Sequence, residues 1–191
     1  MVDAYFEEQV YERMNYSETG IIKGEYDNCT FRNCNFSNTH ALNICFVECE
    51  FINCNFSNTI VANTAFKFVK FVECKIIGVV FSQCDSFLLS LYFKNCVLNL
   101  SSFYQLQLQK TTFINCNLQE VDFSESDLSK AIFDNCNLNN AIFDQTRLEK
   151  ANFITAFNFD INPSGNKIKG AKFSKENIIG LLKSFDIGIE S

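Results

Sequence analysis

The sequence is poor in the residues that build most catalytic sites and many fibrous or flexible chains. Its 191 residues contain one Pro, seven Gly, one His and no Trp. So little Pro and Gly excludes collagen-like and linker-like chains. The lone histidine, His40, has no Ser-His-Asp or Cys-His set around it that the sequence can define. We therefore expect no catalytic residues and no enzyme activity, and we place His40 at the surface.

Charge and hydropathy argue against nucleic-acid-binding, membrane-spanning and secreted proteins. The net charge is −6, which argues against a basic surface for nucleic acid. No apolar run approaches the ~18 residues of a membrane span. The first ten residues, MVDAYFEEQV, are acidic and contain no apolar segment of a signal peptide. Ten Cys without an export signal indicate reduced thiols. We therefore expect a cytoplasmic protein that binds neither membranes nor nucleic acid directly.

What the sequence does contain is a six-residue phrase, such as FINCNF or FDNCNL, that occurs six times. The copies begin at Phe31, Phe51, Phe71, Phe93, Phe113 and Phe133. They are 20 residues apart, except for one step of 22. Each 20-residue period divides into four units of five, with a large residue at the centre of each unit and a small residue two positions before it. Seventeen of the 22 Phe occupy such centres, so the period decides the fold.

A period of five fits neither an α-helix nor a flat strand. It predicts a coil with four short sides, whose successive circuits stack about 4.8 Å apart like adjacent strands. Phe side chains of successive circuits then form one column and Cys side chains another. We expect the core to contain Phe31, Phe51, Phe71, Phe93, Phe113, Phe133, Phe153, Cys34, Cys54, Cys74, Cys96, Cys116 and Cys136.

The cysteines have two interpretations. C-x4-C pairs such as Cys29 and Cys34 are possible zinc ligands. Alternatively, Cys is a small apolar filler of the inward position, as Thr, Ser or Ala is in other units. We favour the filler, and we expect no metal and no cofactor. Cys45 lies outside the pattern, faces solvent and is the best thiol for labelling.

Asparagine recurs where the coil must turn. Asn33, Asn53, Asn95, Asn115 and Asn135 lie two residues after a centre. Asn tolerates the left-handed backbone conformation of tight turns. We therefore expect left-handed corners joined by a ladder of Asn side chains.

Three segments depart from the period. Two extra residues enter near residues 84–87, as a bulge without a role or as a protrusion that presents Asp85 or Phe87 to a partner. Residues 1–20 are acidic and are predicted to form an N-terminal cap with an edge strand, before a repeat domain over 21–153. Residues 154–191 are predicted to form a C-terminal cap with an α-helix at about 175–185 that buries part of its apolar surface in a two-fold dimer. The candidate dimer residues are Phe157, Phe159, Ile178, Leu181, Leu182, Phe185 and Ile187.

Acidic residues are concentrated in the later circuits. Residues 101–160 contain eight acids and four bases. The outward acids there are Glu120, Asp122, Glu125, Asp127, Asp134, Asp144 and Glu149. They form either an ordinary solvated face or an acidic stripe on a rigid ladder. Such a stripe would imitate the phosphate backbone of DNA towards a basic DNA-binding protein.

The units CNFSN, CNLQE, VDFSE, SDLSK and AIFDN resemble the pentapeptide-repeat family, and the resemblance extends over about residues 21–153. It implies an all-β, right-handed quadrilateral β-helix. Within that family the chain looks most similar to the bacterial gyrase-interacting group, which includes the Qnr and microcin B immunity proteins. The segments SFYQLQLQKTTFINCNL and FDINPSGNKI are similar to the latter.

This resemblance implies a homodimer joined by residues 154–191 that binds DNA gyrase or topoisomerase IV as a DNA mimic. Residues 101–160 would face the DNA-binding saddle of the enzyme, with quinolone or gyrase-toxin resistance as the outcome. The chain departs from many Qnr proteins in that its sequence has no room for their long projecting loops. The alternative is a cytoplasmic protein–protein scaffold without topoisomerase activity. Acids spread over all four faces, or a monomer, would favour the scaffold.

Overall fold

In the computed structural model, which describes residues 4–185 and 187, the chain winds into a parallel β-helix built from very short strands. The strands are β1 (Ala4–Glu7), β2 (Val10–Glu12), β3 (Gly24–Asp27), β4 (Thr30–Arg32), β5 (Cys45–Val47), β6 (Glu50–Ile52), β7 (Ala65–Lys67), β8 (Val69–Val72), β9 (Leu91–Lys94), β10 (Thr112–Ile114) and β11 (Ile132–Asp134). One short α-helix, α1, spans Tyr16–Thr19, and 3₁₀ turns span Phe81–Gln83, Ile178–Leu181 and Lys183–Phe185. No helix in the described residues is long and apolar enough to cross a bilayer.

The four five-residue units of each circuit form four faces, which we call A to D in chain order. Face A contains the sheet β1-β3-β5-β7, and face B contains the seven-stranded sheet from β2 to β11. Every pairing between named strands is parallel, for example Phe31 with Phe51 and Phe113 with Phe133. Faces C and D continue as single bridges, such as Asn117 with Asn137 and Ser102 with Asp122. The predicted four-sided β-helix is therefore confirmed.

The centres of the units point inward and stack from circuit to circuit. On face B, seven successive pairs of rings from Phe31 to Phe173 have centroids 4.7–5.4 Å apart, within the favourable range for offset stacking. Rings of face D meet them edge-on, as Phe103 meets Phe113 at 6.2 Å. All thirteen residues that we expected in the core are at most 2% exposed. The interior is thus a set of aromatic columns that supports every rung.

The small inward residues also have a hydrogen-bonding role. The Cys74 thiol lies 3.3 Å from the backbone oxygen of Phe51 and the Cys136 thiol 3.4 Å from that of Phe113, each a centre of the preceding circuit. Thr59 donates to the corresponding oxygen of Phe36 at 2.7 Å. A cysteine therefore does what a threonine does at this position, because it fills a small space and supplies a weak donor.

The corners between faces are left-handed. Twelve of the 26 described non-glycine residues with positive φ are Asn, including Asn115 at 52° and Asn135 at 50°. The side-chain amide of Asn53 donates to Asn33 at 2.7 Å, and Asn135 donates to Asn115 at 2.9 Å. The predicted Asn ladder is confirmed. Where the corner is occupied by Glu or Lys instead, the charged side chain stands at an edge of the rod.

The two extra residues enter face A between Asp85 and Leu89. Ala65 still pairs with Asp85 in the 20-residue register, whereas Val69 pairs with Leu91 in the 22-residue register. Counted back five residues from Phe93, the regular period predicts an inward centre at Leu88, and this prediction is wrong. Leu88 is 56% exposed with a φ of 58°, because the inserted loop turns it outward and Leu89 packs against the core instead.

The C-terminal cap contains no α-helix in its described residues, so the predicted helix at 175–185 is corrected to two 3₁₀ turns. Gly180 lies in the middle of that segment, where it lowers helix propensity. It also packs so closely on Phe159 that a Cβ would lie 2.4 Å from the ring. The Asn177 amide donates to the backbone oxygens of Phe153 and Ala156, each at 2.8 Å. These contacts hydrogen-bond or cover backbone groups of the last circuit, and the segment forms 3₁₀ turns instead of a regular α-helix.

Candidate functional site

The outward acids divide among three faces. Asp122 and Asp144 lie on face D, and Glu120 and Glu125 stand at its two corners, with φ of 56° and 57°. We call these four residues the face-D carboxylates. They lie on two adjacent circuits, because Asp122 is bridged to Ile142 in the next circuit. One short stretch of one face therefore carries four negative charges.

Hydrogen bonds from neighbouring groups fix the orientation of two of these carboxylates. Asp122 Oδ1 accepts the backbone N–H of Ser124 at 2.9 Å, an Asx turn. Glu125 accepts hydrogen bonds from the Tyr104 hydroxyl at 3.0 Å and the Gln105 amide at 2.8 Å. Neutral donors of this kind position a carboxylate without cancelling its charge. Both remain available to a cationic partner.

Asp127 and Glu149 lie on face A and are already paired within the chain. Arg147 lies 3.6 Å from each of them. Asp127 is 5% exposed and also accepts the Gln109 amide at 2.8 Å and the backbone N–H of Ser129 at 2.9 Å. Burial alone would raise the pKa of Asp127, but these hydrogen bonds and the Arg147 charge outweigh it and lower that pKa. This trio is structural, and its acids offer little to a partner.

The acidic stripe is also shorter than a DNA-like rod would require. Asp134 lies on face B, where Thr155 donates to it at 2.8 Å. On face D, the earlier circuits carry residues such as His40, Ile60 and Ser102 in the place of Asp122. The acids predicted as one stripe are therefore concentrated on face D over two circuits.

The insertion forms an exposed apolar protrusion. Phe87 is 66% exposed, and the ammonium nitrogen of Lys67 lies 5.9 Å from the centre of its ring. Asp85 accepts the backbone N–H of Phe87 at 2.9 Å, so its carboxylate holds the turn. Of the two residues predicted to meet a partner here, Phe87 has an exposed ring that a partner could contact, whereas the Asp85 carboxylate stabilises the turn of the loop.

The predicted dimer residues differ in exposure. Phe159 is buried between the rings of Phe153 and Phe173, so it has no surface for a partner. Leu181 packs against the core and Leu182 is half-buried. Of the seven predicted dimer residues, four are exposed: Phe157, Ile178, Phe185 and Ile187. A terminal dimer stays a prediction for these four residues.

The thiols form no recognisable metal site. Within the described residues, no group of three or more Cys, His, Asp or Glu is arranged to hold a metal ion. All ten Cys are free, and Cys45 is the least buried of them. Burial raises the pKa of the Cys49 and Cys84 thiols to about 12, so both are protonated at neutral pH. His40 is exposed on face D.

Counting charges along the sequence missed the basic residues of face A. Lys110, Lys130 and Lys150 occupy successive corners, with φ of 61–65°. Arg147 is bridged to Lys167 in the next circuit. The signal was present in the 20-residue spacing of these residues, which places them in columns. The four bases of residues 101–160 therefore all lie on face A or its corner towards face B, whereas four of the outward acids lie on face D.

The comparisons with known proteins agree with this architecture. A model of the pentapeptide repeat region matches residues 88–156, and a model of eight pentapeptide repeats matches residues 49–85. Together they cover more than half of the chain, and the gap between them falls at the insertion. No curated protein matches the sequence.

The structure is similar to structures of QnrB1, a plasmid-mediated fluoroquinolone resistance protein. One trypsin-treated variant of QnrB1 has a TM-score of 0.64 at 14% identity, covering 98% of this chain and 100% of that one. Another has a TM-score of 0.55 at 16% identity, covering 100% and 93%. Full-length QnrB1 has a TM-score of 0.52 at 16% identity, covering 96% and 100%. At 14–16% identity, this similarity shows a shared fold and nothing further.

Proposed function

This chain belongs to the pentapeptide-repeat family, and from that premise we propose that it is a non-enzymatic, cytoplasmic binding protein for a type II topoisomerase, DNA gyrase or topoisomerase IV. The observation that carries the proposal is the group of four face-D carboxylates on a rigid ladder. The shared fold with QnrB1, which acts in fluoroquinolone resistance, supports the choice of partner. Modulation of the topoisomerase, with resistance to quinolones or a gyrase toxin, is the expected consequence.

Charge density limits how much of the rod can imitate DNA. Adjacent rungs are about 4.8 Å apart, so two circuits with four carboxylates carry one charge per roughly 2.5 Å of rod. Duplex DNA carries one charge per about 1.7 Å. The whole chain, at −6 over nine rungs, carries one net charge per roughly 7 Å. We therefore assign the DNA-like role to the face-D carboxylates and not to the rod as a whole.

The alternative function is a protein–protein scaffold that binds no topoisomerase. The neutral early circuits of face D favour it, because a DNA mimic is expected to stay acidic along its length. The pairing of Asp127 and Glu149 with Arg147 favours it too, because it removes two acids from the candidate surface. Either function uses a surface of a rigid rod without a catalytic group.

Topoisomerase assays separate the two functions. Purified protein is added to gyrase in a supercoiling assay and to topoisomerase IV in a decatenation assay, each with and without a fluoroquinolone. The topoisomerase function predicts inhibition or drug protection at micromolar protein, which the variant Glu120→Gln/Asp122→Asn/Glu125→Gln weakens. The matched control is Glu73→Gln, an exposed corner acid with a φ of 56° on another edge. No effect of the wild-type protein on either enzyme would support the scaffold instead.

A further inference from the structure

Face A, together with its corner towards face B, carries charges of opposite sign at its two ends. We call the part of each circuit that lies on this surface a rung, so the surface has nine rungs. Its first four rungs, counted from β1, bear five carboxylates and one ammonium group, a net charge of −4: Glu7, Glu8, Glu25, Asp27, Glu48 and Lys67. Its last four rungs bear six cations and two carboxylates, a net charge of +4: Lys110, Asp127, Lys130, Arg147, Glu149, Lys150, Lys167 and Lys169. The two halves are equal in size and opposite in charge.

The middle of the same surface is apolar and projects outward. The fifth of the nine rungs is the insertion, where Phe87 and Leu88 are 66% and 56% exposed. Phe68, at the corner after the fourth rung, is 58% exposed. Three large apolar side chains therefore stand midway between the acidic and basic halves. Exposed apolar residues that cluster in this way commonly mark a contact site.

We propose that face A binds face A of a second copy of this chain, antiparallel, about a two-fold axis through the insertion. A two-fold axis that reverses the rod brings rung n of one copy opposite rung 10 − n of the other. The acidic half of each copy then faces the basic half of its partner, and the apolar protrusions meet at the centre.

The columns of face A specify which residues would pair. Three opposite-charge pairs each occur twice in the dimer: Glu7 with Lys169, Glu25 with Arg147, and Glu48 with Lys130. Arg147 keeps its contacts with Asp127 and Glu149, and its side chain is 52% exposed, so it would contact Glu25 as an additional partner. Glu48 and Lys130 stand at the same corner, three and seven rungs from the start, with φ of 51° and 62°. Both side chains are exposed. Their pairing is therefore the most direct consequence of the antiparallel arrangement.

Two like-charge pairings remain, and each has an internal partner. Asp27 lies opposite Glu149, and Asp85 lies opposite its own copy. The Tyr5 hydroxyl donates to Asp27 at 3.1 Å, Arg147 lies 3.6 Å from Glu149, and a backbone N–H donates to Asp85. These contacts reduce the repulsion within each chain.

The available area fits a reversible dimer. Nine rungs span about 40 Å, and a side about 15 Å wide gives at most roughly 600 Å² from each copy, since the projecting centre limits the contact of the flanking rungs; this is at the lower end of specific interfaces. Exposed ion pairs contribute little individually, so the apolar centre holds the complex and the charges set its direction. We expect dissociation in the micromolar range and weaker association at high salt.

Sedimentation velocity of the whole chain over a concentration series tests the arrangement. The single variants Glu48→Lys and Lys130→Glu each place two like charges across the interface and should weaken association by about tenfold or more. Mixed in equal amounts, the two variants should form a heterodimer, because each of the two corner pairs then joins a lysine of the first variant to a glutamate of the second. The corner variant Glu73→Lys, on another edge, should associate like the wild type.

A chain that remains monomeric at about 200 µM, the weak end of such contacts, would overturn the proposal. So would a dimer that keeps its strength in both single variants, which is the result expected of the terminal dimer that the resemblance implies for residues 154–191, or of a dimer through another face. Failure of the mixed variants to associate better than either alone would exclude the antiparallel pairing. Circular dichroism of each variant checks that the β-helix is intact. None of these outcomes depends on topoisomerase binding.

Discussion

Truncating one ring in the middle of the face-B column is the clearest test of how this rod is stabilised. Phe113 is fully buried and stacks on Phe93 at 5.2 Å and on Phe133 at 5.1 Å. It also meets Phe103 and Phe123 edge-on at 6.2 and 5.9 Å. Phe→Ala at such a site removes the transfer free energy of the ring and leaves a cavity, together about 3–5 kcal/mol. We expect Phe113→Ala to cost about 4 kcal/mol.

Position along the rod supplies the comparison. Phe6 lies in the first rung, is half-buried and stacks closely only on Tyr26, at 4.6 Å. Phe6→Ala should therefore cost about 1–2 kcal/mol. Phe113→Leu keeps most of the volume but loses the ring contacts, and should cost about 1–2 kcal/mol. These differences follow from a rod in which each circuit contacts mainly its neighbours.

Equilibrium unfolding in urea, followed by far-ultraviolet circular dichroism, measures all three variants. Both midpoint and slope are needed, because a repeat protein can lose cooperativity when a central rung is weakened. If Phe113→Ala loses no more free energy of unfolding than Phe6→Ala, a ring in the middle of the column contributes no more to stability than a ring at its end, and this explanation of the rod's stability is refuted.

Three further predictions concern single side chains. A thiol reagent should label Cys45 first in the native protein and all ten Cys after unfolding, as counted by mass spectrometry, because the other nine are buried; rapid native labelling of Cys74 would contradict this. Asp127→Asn should lower stability by about 1–2 kcal/mol at neutral pH. The pKa of Asp127 is lower in the folded than in the unfolded protein. Its carboxylate therefore stabilises the fold above the unfolded pKa of about 3.9, and this stabilisation is lost as pH falls through the folded pKa. A stability difference between Asp127→Asn and wild type that persists in acid would contradict this role for the carboxylate. At the left-handed corner of Asn115, Ala should cost about 1–2 kcal/mol and Gly less, because only Gly tolerates positive φ freely. Equal losses for Ala and Gly, measured by urea unfolding, would show that the backbone conformation is not the cause.

The period alone was enough to predict the columns of the core. A large residue every five positions and a repeat of 20 place Phe93, Phe113 and Phe133 above one another, and this is where they lie. The same arithmetic holds for the Asn corners. It holds because each circuit repeats the backbone of the previous one, so sequence spacing becomes spatial register.

The prediction failed where local contacts replace the repeat. At the insertion, the period cannot say which residue turns outward, and the loop buries Leu89 in place of Leu88. At the C-terminal end, the apolar spacing predicted a helix because it took no account of Gly180. The close approach of Gly180 to Phe159 favours 3₁₀ turns. Charge counting failed differently, because Asp127 and Arg147 are 20 residues apart in sequence yet adjacent in space. Only the register reveals that they pair.

The central claim is that the face-D carboxylates take the place of DNA on a topoisomerase. Competition between this protein and a fluorescently labelled DNA duplex for gyrase, followed by fluorescence anisotropy, tests it most directly. We predict that the wild-type protein displaces the duplex at micromolar concentration. The variant Glu120→Gln/Asp122→Asn/Glu125→Gln should need at least about tenfold more protein, and Glu73→Gln should not differ from wild type. A wild-type protein that binds gyrase without displacing the duplex, or a triple variant that displaces it as well as the wild type, would contradict the claim.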